Sequence, residues 1–354
     1  MQNLNSQIKT YISIYTDLET DDIWAIYILA QIFKFDHIVV GEGNASIKQK
    51  RMELYIQLLK KEGLDIADPI VVKGENSNKN FKYDGQEFED LDNVKTTDYS
   101  FETVTKEYLT KYDEPILVIL KPCRELIEFA EKYQDLIKKT KVYFYGGFNF
   151  RCLFRKYKPD IVANFISSFK NAYIYESFHA LGEFNSLNKC SKYIYNKFVK
   201  AQEKSEYINK IKIFNKLWNE DLKEKCVDVC NKLLIENNIT QTCEAVFDIL
   251  LKNANPKEYV ATLFTNIKQS EQFFRNFKTY KSINGHEDFQ VVLADMCAVL
   301  AFFNSKYNND CVPAKISFDE AGYTQFELVE ASNVYFYKNL TKEEMLEDLA
   351  NSFI

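Results

Sequence analysis

The sequence predicts an α/β fold with a mainly parallel central sheet, helices on both faces and an added helical section. Two observations favour this class. In the first half of the 354 residues, short apolar runs alternate with stretches of helical spacing; in the second half, a long Lys/Glu-rich stretch keeps helical spacing with few breaks. Strand–helix alternation is typical of parallel sheets, because each helix returns the chain to the edge from which the next strand starts. We therefore predict a Rossmann-like sheet, and a single domain over residues 1–354, since no change in composition divides the chain.

The elements of the first half follow from local pattern. Apolar runs bounded by polar residues or glycines predict strands at 11–16, 37–43, 69–72, 115–120 and 141–147. Helical spacing between them predicts helices at 20–34, 46–64, 101–112 and 123–138. The remaining stretch, 74–98, is polar and is predicted to be a loop.

The second half predicts a different organisation. Residues 186–280 form the helical section, and an apolar helix interrupted by one acid follows at 289–303. The pattern of 314–330 indicates a hairpin, and residues 333–353 indicate a final strand and helix.

Composition excludes several classes of function. The net charge of −6 leaves no basic surface for nucleic acid. No apolar run is long enough to cross a membrane, and the first ten residues lack the apolar core of a secretion signal. The eight cysteines include no Cys-x-x-Cys pair, which favours a reducing compartment such as the cytoplasm.

Acidic residues crowd the end of the first predicted strand. In "YTDLETDD", Asp17 leaves the strand, and Asp21 and Asp22 begin the next helix. Ligands of open α/β sheets bind at the carboxyl ends of strands, and clustered carboxylates are the oxygen ligands of hard divalent cations. Irregular geometry favours Ca²⁺ over Mg²⁺, which demands an octahedron. The alternative is that Asp21 or Asp22 only caps the helix.

A further acid, Asp295, interrupts the apolar run "VVLADMCAVLAFF". An unpaired charge is costly in such surroundings, so this carboxylate is expected to meet a metal, another cation or a helix terminus.

At these acids the chain resembles the inosine–uridine nucleoside hydrolase family, which begins with a strand and the pattern D-x-D-x-x-x-D-D. "YTDLETDD" keeps the last three acids and has Tyr15 at the first. The family's "HDPLAVA" is similar to "ADMCAVL", which puts Asp295 at its last metal-binding aspartate. "YFYGG" (143–147) and the closing strand and helix are also similar, so the resemblance extends over nearly the whole chain.

The resemblance also implies substrate and backbone ligands. The family's "VxGN" is similar to "GEGN", which places Asn44 at its asparagine. "VILKPCRELI" puts Leu120 at the residue whose carbonyl binds the metal, and "VANF" places Asn164 at a ribose-binding asparagine. The family's "EFN" letters recur at 182–185, far beyond Gly147.

What the resemblance implies is a Ca²⁺-dependent hydrolase that cleaves the N-glycosidic bond of ribonucleosides to ribose and free base. Asp17, Asp21, Asp22, the Leu120 carbonyl and Asp295 would hold the ion, which binds a water and the ribose hydroxyls. Asp17 would take the proton from that water. Family members often form dimers or tetramers, so a homo-oligomer or larger assembly is also expected.

Departures from the family pattern keep other interpretations open. The family's histidine before the last aspartate, which assists base departure in some members, is Ala294 here. A non-catalytic structural or ligand-binding subunit with the same fold is therefore an alternative, and it predicts a pocket filled by Tyr15, Glu19 or a lysine. A phosphatase of the haloacid dehalogenase type needs an aspartate where Glu19 stands and a downstream acid pair, which the sequence lacks.

Overall fold

The computed structural model describes residues 10–76, 82–146, 157–181, 191–286, 289, 291–319 and 323–353, and these residues have the predicted α/β class. The strands are β1 Tyr11–Thr16, β2 Lys34–Val40, β3 Ile70–Lys73, β4 Ile116–Ile119, β5 Lys141–Tyr145, β6 Asn171–Tyr175, β7 Cys311–Phe318, β8 Thr324–Leu328 and β9 Val334–Tyr337.

Helices connect the strands and form most of the second half. They are α1 Thr20–Ile32, α2 Ala45–Lys61, α3 Phe101–Lys111, α4 Arg124–Lys132, α5 Gln134–Lys138, α6 Pro159–Ser167, α7 Ser177–Leu181, α8 Ser191–Ala201, α9 Glu206–Glu236, α10 Cys243–Lys252, α11 Pro256–Leu263, α12 Ile267–Ile283, α13 Ala294–Phe303 and α14 Lys342–Ser352. Short 3₁₀ turns lie at Leu91–Asn93 and Ser305–Asp310.

The described strands form one nine-stranded sheet in the order β3-β2-β1-β4-β5-β6-β9-β7-β8. All neighbours from β3 to β9 pair in parallel, whereas β7 is antiparallel to both β9 and β8. The prediction of a mainly parallel sheet is confirmed. β1 lies inside the sheet, so its carboxyl end meets those of β2 and β4.

Two apolar helices pack against each other on one face of the sheet. α1 is buried along most of its length, and α13 is buried from Ala294 to Phe302, so neither has a polar face. The opposite face packs a second core that includes Tyr15, Phe144 and Ile174. Because side chains alternate along a strand, each strand contributes to both cores, and their sequences read as continuous apolar runs.

The structure differs from the sequence predictions at several places. β6 and the helix α6 before it were not predicted, and the helix expected at 123–138 is divided at Tyr133 into α4 and α5. The helix expected at 289–303 begins only at Ala294, which places Asp295 in its first turn. The strand expected at 37–43 starts earlier and ends at Val40, before the glycines.

Contacts between Cα atoms divide the chain into two compact units. One contains residues 1–211 and 291–354 and includes the sheet; the other contains residues 212–290. The second unit has its own apolar core, built around Cys230, Phe247, Phe273 and Phe277. Within the described residues, the predicted helical section corresponds to α8 through α12. Among the described helices, none has both the length and the apolar character that a membrane crossing requires.

A buried histidine gives the sheet a pH-dependent stability. His37 on β2 is fully buried, its Nε2 lies 3.0 Å from Ser13 Oγ, and burial lowers its pKa to about 4. The unfolded chain then binds more protons than the folded one between pH 6.5 and 4, so stability falls as pH falls through this window.

We expect His37→Gln to remove this contribution, which amounts to at most about 1.4 kcal/mol per pH unit. Urea unfolding at pH 7 and pH 5 checks it: the wild-type protein should lose more free energy of unfolding between the two pH values than the variant. Equal losses would contradict the assignment. The variant is needed because the clustered acids also titrate in this pH range, and their effect on the free energy of unfolding changes with pH in the opposite direction.

Candidate metal centre

The turn between β1 and α1 brings the first acids to the carboxyl edge of the sheet. Asp17 follows β1 directly, and Leu18 has a left-handed backbone with φ of 52°. The Leu18 backbone N–H donates to Thr16 Oγ1 at 3.0 Å, which fixes this turn. The chain thereby reverses within three residues and starts α1 at Thr20.

Asp22 is held from two sides by its own turn. The Thr16 hydroxyl donates to Asp22 Oδ1 at 2.6 Å, and the Glu19 backbone N–H donates to Oδ2 at 3.2 Å. Glu19 and Asp22 form a reciprocal capping box at the start of α1. The helix-capping interpretation is therefore part of the structure, and the same bonds fix the carboxylate of Asp22 in one orientation.

Three carboxylates converge although they come from distant parts of the sequence. One oxygen from each of Asp21, Asp22 and Asp295 lies within 4.8 Å of the others. The Asp17 carboxyl is within hydrogen-bond reach of Asp22. Burial raises the pKa of Asp21 most, whereas the backbone N–H groups of Asp22 and Asp295, in the first turns of α1 and α13, act to lower it. The amino ends of α1 and α13 thus both face the cluster, and their dipoles favour negative charge there.

Bringing these carboxylates together is electrostatically unfavourable when no cation is bound. Burial, followed by the charge of Asp17, raises the pKa of Asp21 to about 7. The pKa of Asp22 is raised by burial and then by Asp17 and Asp295, and the pKa of Asp295 is raised by burial and then by Asp21 and Asp17. Each acid therefore resists ionisation because it is buried and because its neighbours are also acidic.

The cluster fits a hard cation. Asp295 is buried, and its Oδ1 has no hydrogen-bond partner among the described residues. A buried carboxylate oxygen without a donor is costly, and a cation coordinated by several carboxylates would satisfy it. The donor set contains only oxygen atoms, which suits Ca²⁺ or Mg²⁺ rather than a soft metal.

Leu120 and Asn44 lie at neighbouring strand ends. The Leu120 N–H donates to the Tyr15 carbonyl at 2.8 Å, so Leu120 follows β4 beside the end of β1. Asn44 caps α2, since its Oδ1 accepts from the Ile47 N–H at 3.2 Å. Its side-chain oxygen therefore has a structural task that the sequence motif did not indicate.

Asn164 and Ala294 complete the set of sequence-derived positions. Asn164 is exposed on α6 and lines a groove with residues of α4 and α5, and no described contact links it to the acids. Ala294 is buried at the start of α13, directly before Asp295. The letters "GEFN" at 182–185 lie outside the described residues.

Sequence reasoning missed two buried lysines beside Asp17. The Lys48 ammonium donates to the backbone carbonyl of Asp17. Lys121 Nζ donates to the Pro122 carbonyl at 2.7 Å and to Glu125 at 2.6 Å. Its pKa is raised against the effect of burial, mainly by the charge of Glu125 and less by that of Asp17. Both lysine side chains are buried. One signal was present: Lys48 stands one helical turn after the cap residue Asn44, hence on the same face of α2.

A buried ion-pair network continues from Lys48 along α2. Arg51 binds Glu87 at 2.6 Å and Asp84 at 2.9 Å, and all three side chains are almost fully buried. The charges of Lys48 and Arg51 both lower the pKa of Asp84, although burial raises it more. The segment that carries Asp84 and Glu87 is therefore fastened to the helix beside the acidic cluster.

The similarity of this chain to known proteins lies in its fold. The sequence matches no protein-family model, and no curated protein matches it. Among solved structures, a plant nucleoside hydrolase is similar with a TM-score of 0.56 and 10% identity over 98% of this chain and 99% of its own. An inosine–guanosine nucleoside hydrolase gives a TM-score of 0.55 with 13% identity over 98% and 99%.

A third similar structure is a purine-preferring ribonucleoside hydrolase from Gardnerella vaginalis, with a TM-score of 0.53 and 12% identity over 97% of this chain and 98% of that one. Identities this low show the fold alone. Since each comparison covers nearly the full length of both chains, this protein has the overall fold seen in nucleoside hydrolases.

Proposed function

We propose that the protein is a Ca²⁺-dependent N-ribosyl hydrolase that cleaves ribonucleosides to ribose and free base. The observation that carries this proposal is the convergence of Asp21, Asp22 and Asp295, with a buried Asp295 oxygen that lacks a partner among the described residues. The fold supports it, because the cluster lies at the carboxyl edge of the sheet, where ligands of this architecture bind.

In this proposal Asp17, Asp21, Asp22, the Leu120 carbonyl and Asp295 hold the ion. When bound, the cation lowers the pKa of a water and binds hydroxyl oxygens of the sugar. Asp17 accepts the proton of the attacking water, which then adds to the anomeric carbon as the bond to the base breaks. Thr16 and Glu19 keep the Asp22 carboxylate oriented.

Two asparagines are proposed to bind the substrate. Asn44 follows β2, the strand that pairs with β1, and is proposed to bind the ribose, as is Asn164, which would have to act from α6. Within the nucleoside hydrolases we propose the inosine–uridine type, acting in the cytoplasm or another reducing compartment and forming a homo-oligomer or larger assembly.

A second candidate is a non-catalytic protein that binds a ribosyl ligand or serves as a subunit of an assembly. It is favoured by two buried lysines. The Lys48 ammonium donates to the Asp17 carbonyl, and Lys121, which pairs with Glu125, follows β4, the strand that pairs with β1. Ala294 offers no acid for the leaving base. Tyr15 does not support this candidate, because its ring packs in the core with Phe101 and His37.

Calcium titration calorimetry with and without inosine tests the proposal. We expect Ca²⁺ to bind the wild-type protein, inosine to tighten that binding, and Asp295→Asn to weaken it strongly. Asp36→Asn is the matched control, since Asp36 pairs with Lys111 at the start of β2. Absence of Ca²⁺ binding would overturn the proposal, whereas Ca²⁺ and inosine binding without release of ribose would favour the second candidate.

A further inference from the structure

Three side chains with hydroxyl groups lie at or just after the carboxyl ends of β5 and β6, at the same edge of the sheet as the acidic cluster. They belong to Tyr145, Tyr175 and Ser177, and we call them the hydroxyl recess. Tyr175 and Ser177 are completely buried, and neither Tyr175 Oη nor Ser177 Oγ has a hydrogen bond of good geometry among the described residues. Burial raises the pKa of Tyr175, and its neighbours Cys297 and Ser177 also act on that pKa. Native proteins rarely leave such groups unsatisfied, so the recess calls for an explanation.

Strand geometry places the recess on the side of the sheet that carries α13. Phe144 points into the core on the opposite face, so its neighbours Tyr143 and Tyr145 point toward α13. The Tyr143 ring lies 5.3 Å from that of Phe302, near the carboxyl end of α13. The first turn of α13 carries Asp295, which meets Asp21 and Asp22 just after β1. Because β1, β4 and β5 are parallel neighbours, this end of α13 lies at the edge of the sheet where β5 ends.

The contacts of β6 agree with this placement. Tyr145 pairs with Tyr175 in the sheet, and the Gly146 N–H donates to the Tyr175 carbonyl at 2.8 Å. Burial raises the pKa of the Tyr145 phenol, and the charges of Asp295 and Asp21 raise it further, whereas the Ser177 hydroxyl acts to lower it. The hydroxyl recess therefore lies at the ends of β5 and β6, on the face of the sheet that carries Asp295.

The chemistry of the recess differs from that of the acids. Carboxylates accept hydrogen bonds and bind cations, whereas a phenol and a serine hydroxyl can both donate and accept. Such groups suit a neutral partner that also donates and accepts, which is the character of a sugar hydroxyl. In the proposed function, a sugar bound at the acidic cluster would meet the hydroxyl recess.

We propose that Tyr145 is a substrate-binding residue whose phenol, supported by Tyr175 and Ser177, binds one hydroxyl group of the ribosyl substrate. This inference rests on the proposed function and deepens it, because it assigns sugar recognition to a wall outside the acidic cluster. The phenol replaces water around that hydroxyl when the substrate enters. A substrate that lacks the hydroxyl leaves the phenol without its partner.

A substitution cycle tests the proposal. Tyr145→Phe removes one oxygen atom and keeps the ring, and Tyr143→Phe is the matched control on the same strand and face. Each protein is assayed with a ribonucleoside and with its 2′-, 3′- and 5′-deoxy counterparts, by release of base and by equilibrium binding. We expect Tyr145→Phe to lower kcat/KM or the binding constant by about 10-fold on the ribonucleoside. The loss should vanish on one deoxy substrate, while Tyr143→Phe changes neither quantity.

The outcomes separate this inference from the proposed function. If the wild-type protein neither binds nor cleaves any of the four compounds, the proposed function fails and the inference with it. If the wild-type protein is active but Tyr145→Phe has no effect, only the inference fails. It also fails if the loss is equal on all four substrates, because the phenol would then act through packing or an enclosed water. Thermal unfolding of each variant shows that the fold is intact.

Discussion

Replacing Asp17 by alanine is expected to abolish ribonucleoside hydrolysis, with a loss of about a thousand-fold or more in kcat, within the range for a general base that also binds a metal. The side chain leaves the turn after β1 and meets the carboxyl of Asp22. Its removal takes away the proton acceptor and one oxygen ligand. Release of reducing sugar from a panel of ribonucleosides measures the effect.

The fold is expected to survive this substitution. Asp17 supports the surrounding turn through its backbone carbonyl, which binds Lys48, and alanine keeps that carbonyl. The thermal unfolding midpoint should therefore stay near the wild-type value, and Asp36→Asn should retain full activity. If the alanine variant hydrolyses ribonucleosides at the wild-type rate, Asp17 is not the base.

Calcium is expected to stabilise the wild-type protein strongly and to have no such effect on Asp295→Asn. At a free concentration of one hundred times its dissociation constant, the ion should add about 2.7 kcal/mol to the free energy of unfolding. Asp295 brings a buried, unpartnered oxygen to the cluster, so its amide counterpart removes a ligand charge. Thermal unfolding with calcium and with chelator compares the two proteins.

The same substitution is expected to stabilise the metal-free protein at pH 8. The pKa values of Asp21, Asp22 and Asp295 are raised in the fold, so the folded state binds more protons than the unfolded state above pH 3.8. Stability therefore falls as pH rises from 3.8 through about 7, where Asp21 ionises. An asparagine at 295 removes one of the repelling charges. Thermal unfolding with chelator at pH 8 measures this, and a variant midpoint at or below that of the wild-type protein would contradict the predicted repulsion.

The sheet could be predicted where each strand kept a local signature. Apolar runs bounded by turn residues marked β1 to β5 in order, and the hairpin of β7 and β8 showed alternation. β6 was missed because its sequence, "NAYIY", is short and begins with a polar residue. The start of α13 was misplaced because a helix buried all around has no polar face to mark its boundary.

The candidate site, like the sheet, could be predicted only where the sequence carried a local signal. Asp17, Asp21 and Asp22 are close in sequence, and Asp295 is conspicuous because it interrupts an apolar run, so local reasoning reached all four. Lys48 and Lys121 were missed because an isolated lysine in a helical or loop pattern is typical of a solvated surface. Only the tertiary fold shows that both are buried beside Asp17. The hydroxyl recess likewise depends on strand register, which sequence does not specify.

The separation of Asp295 from the other three acids in sequence has a consequence for biosynthesis. The chain emerges from the ribosome with Asp17, Asp21 and Asp22 early and Asp295 late, after the helical unit of residues 212–290. Ordering a contact between such distant segments is slow, because a long loop must close first. The nascent protein therefore lacks the complete acidic cluster during most of its synthesis, and the ion binding proposed above would be one of the last events in maturation.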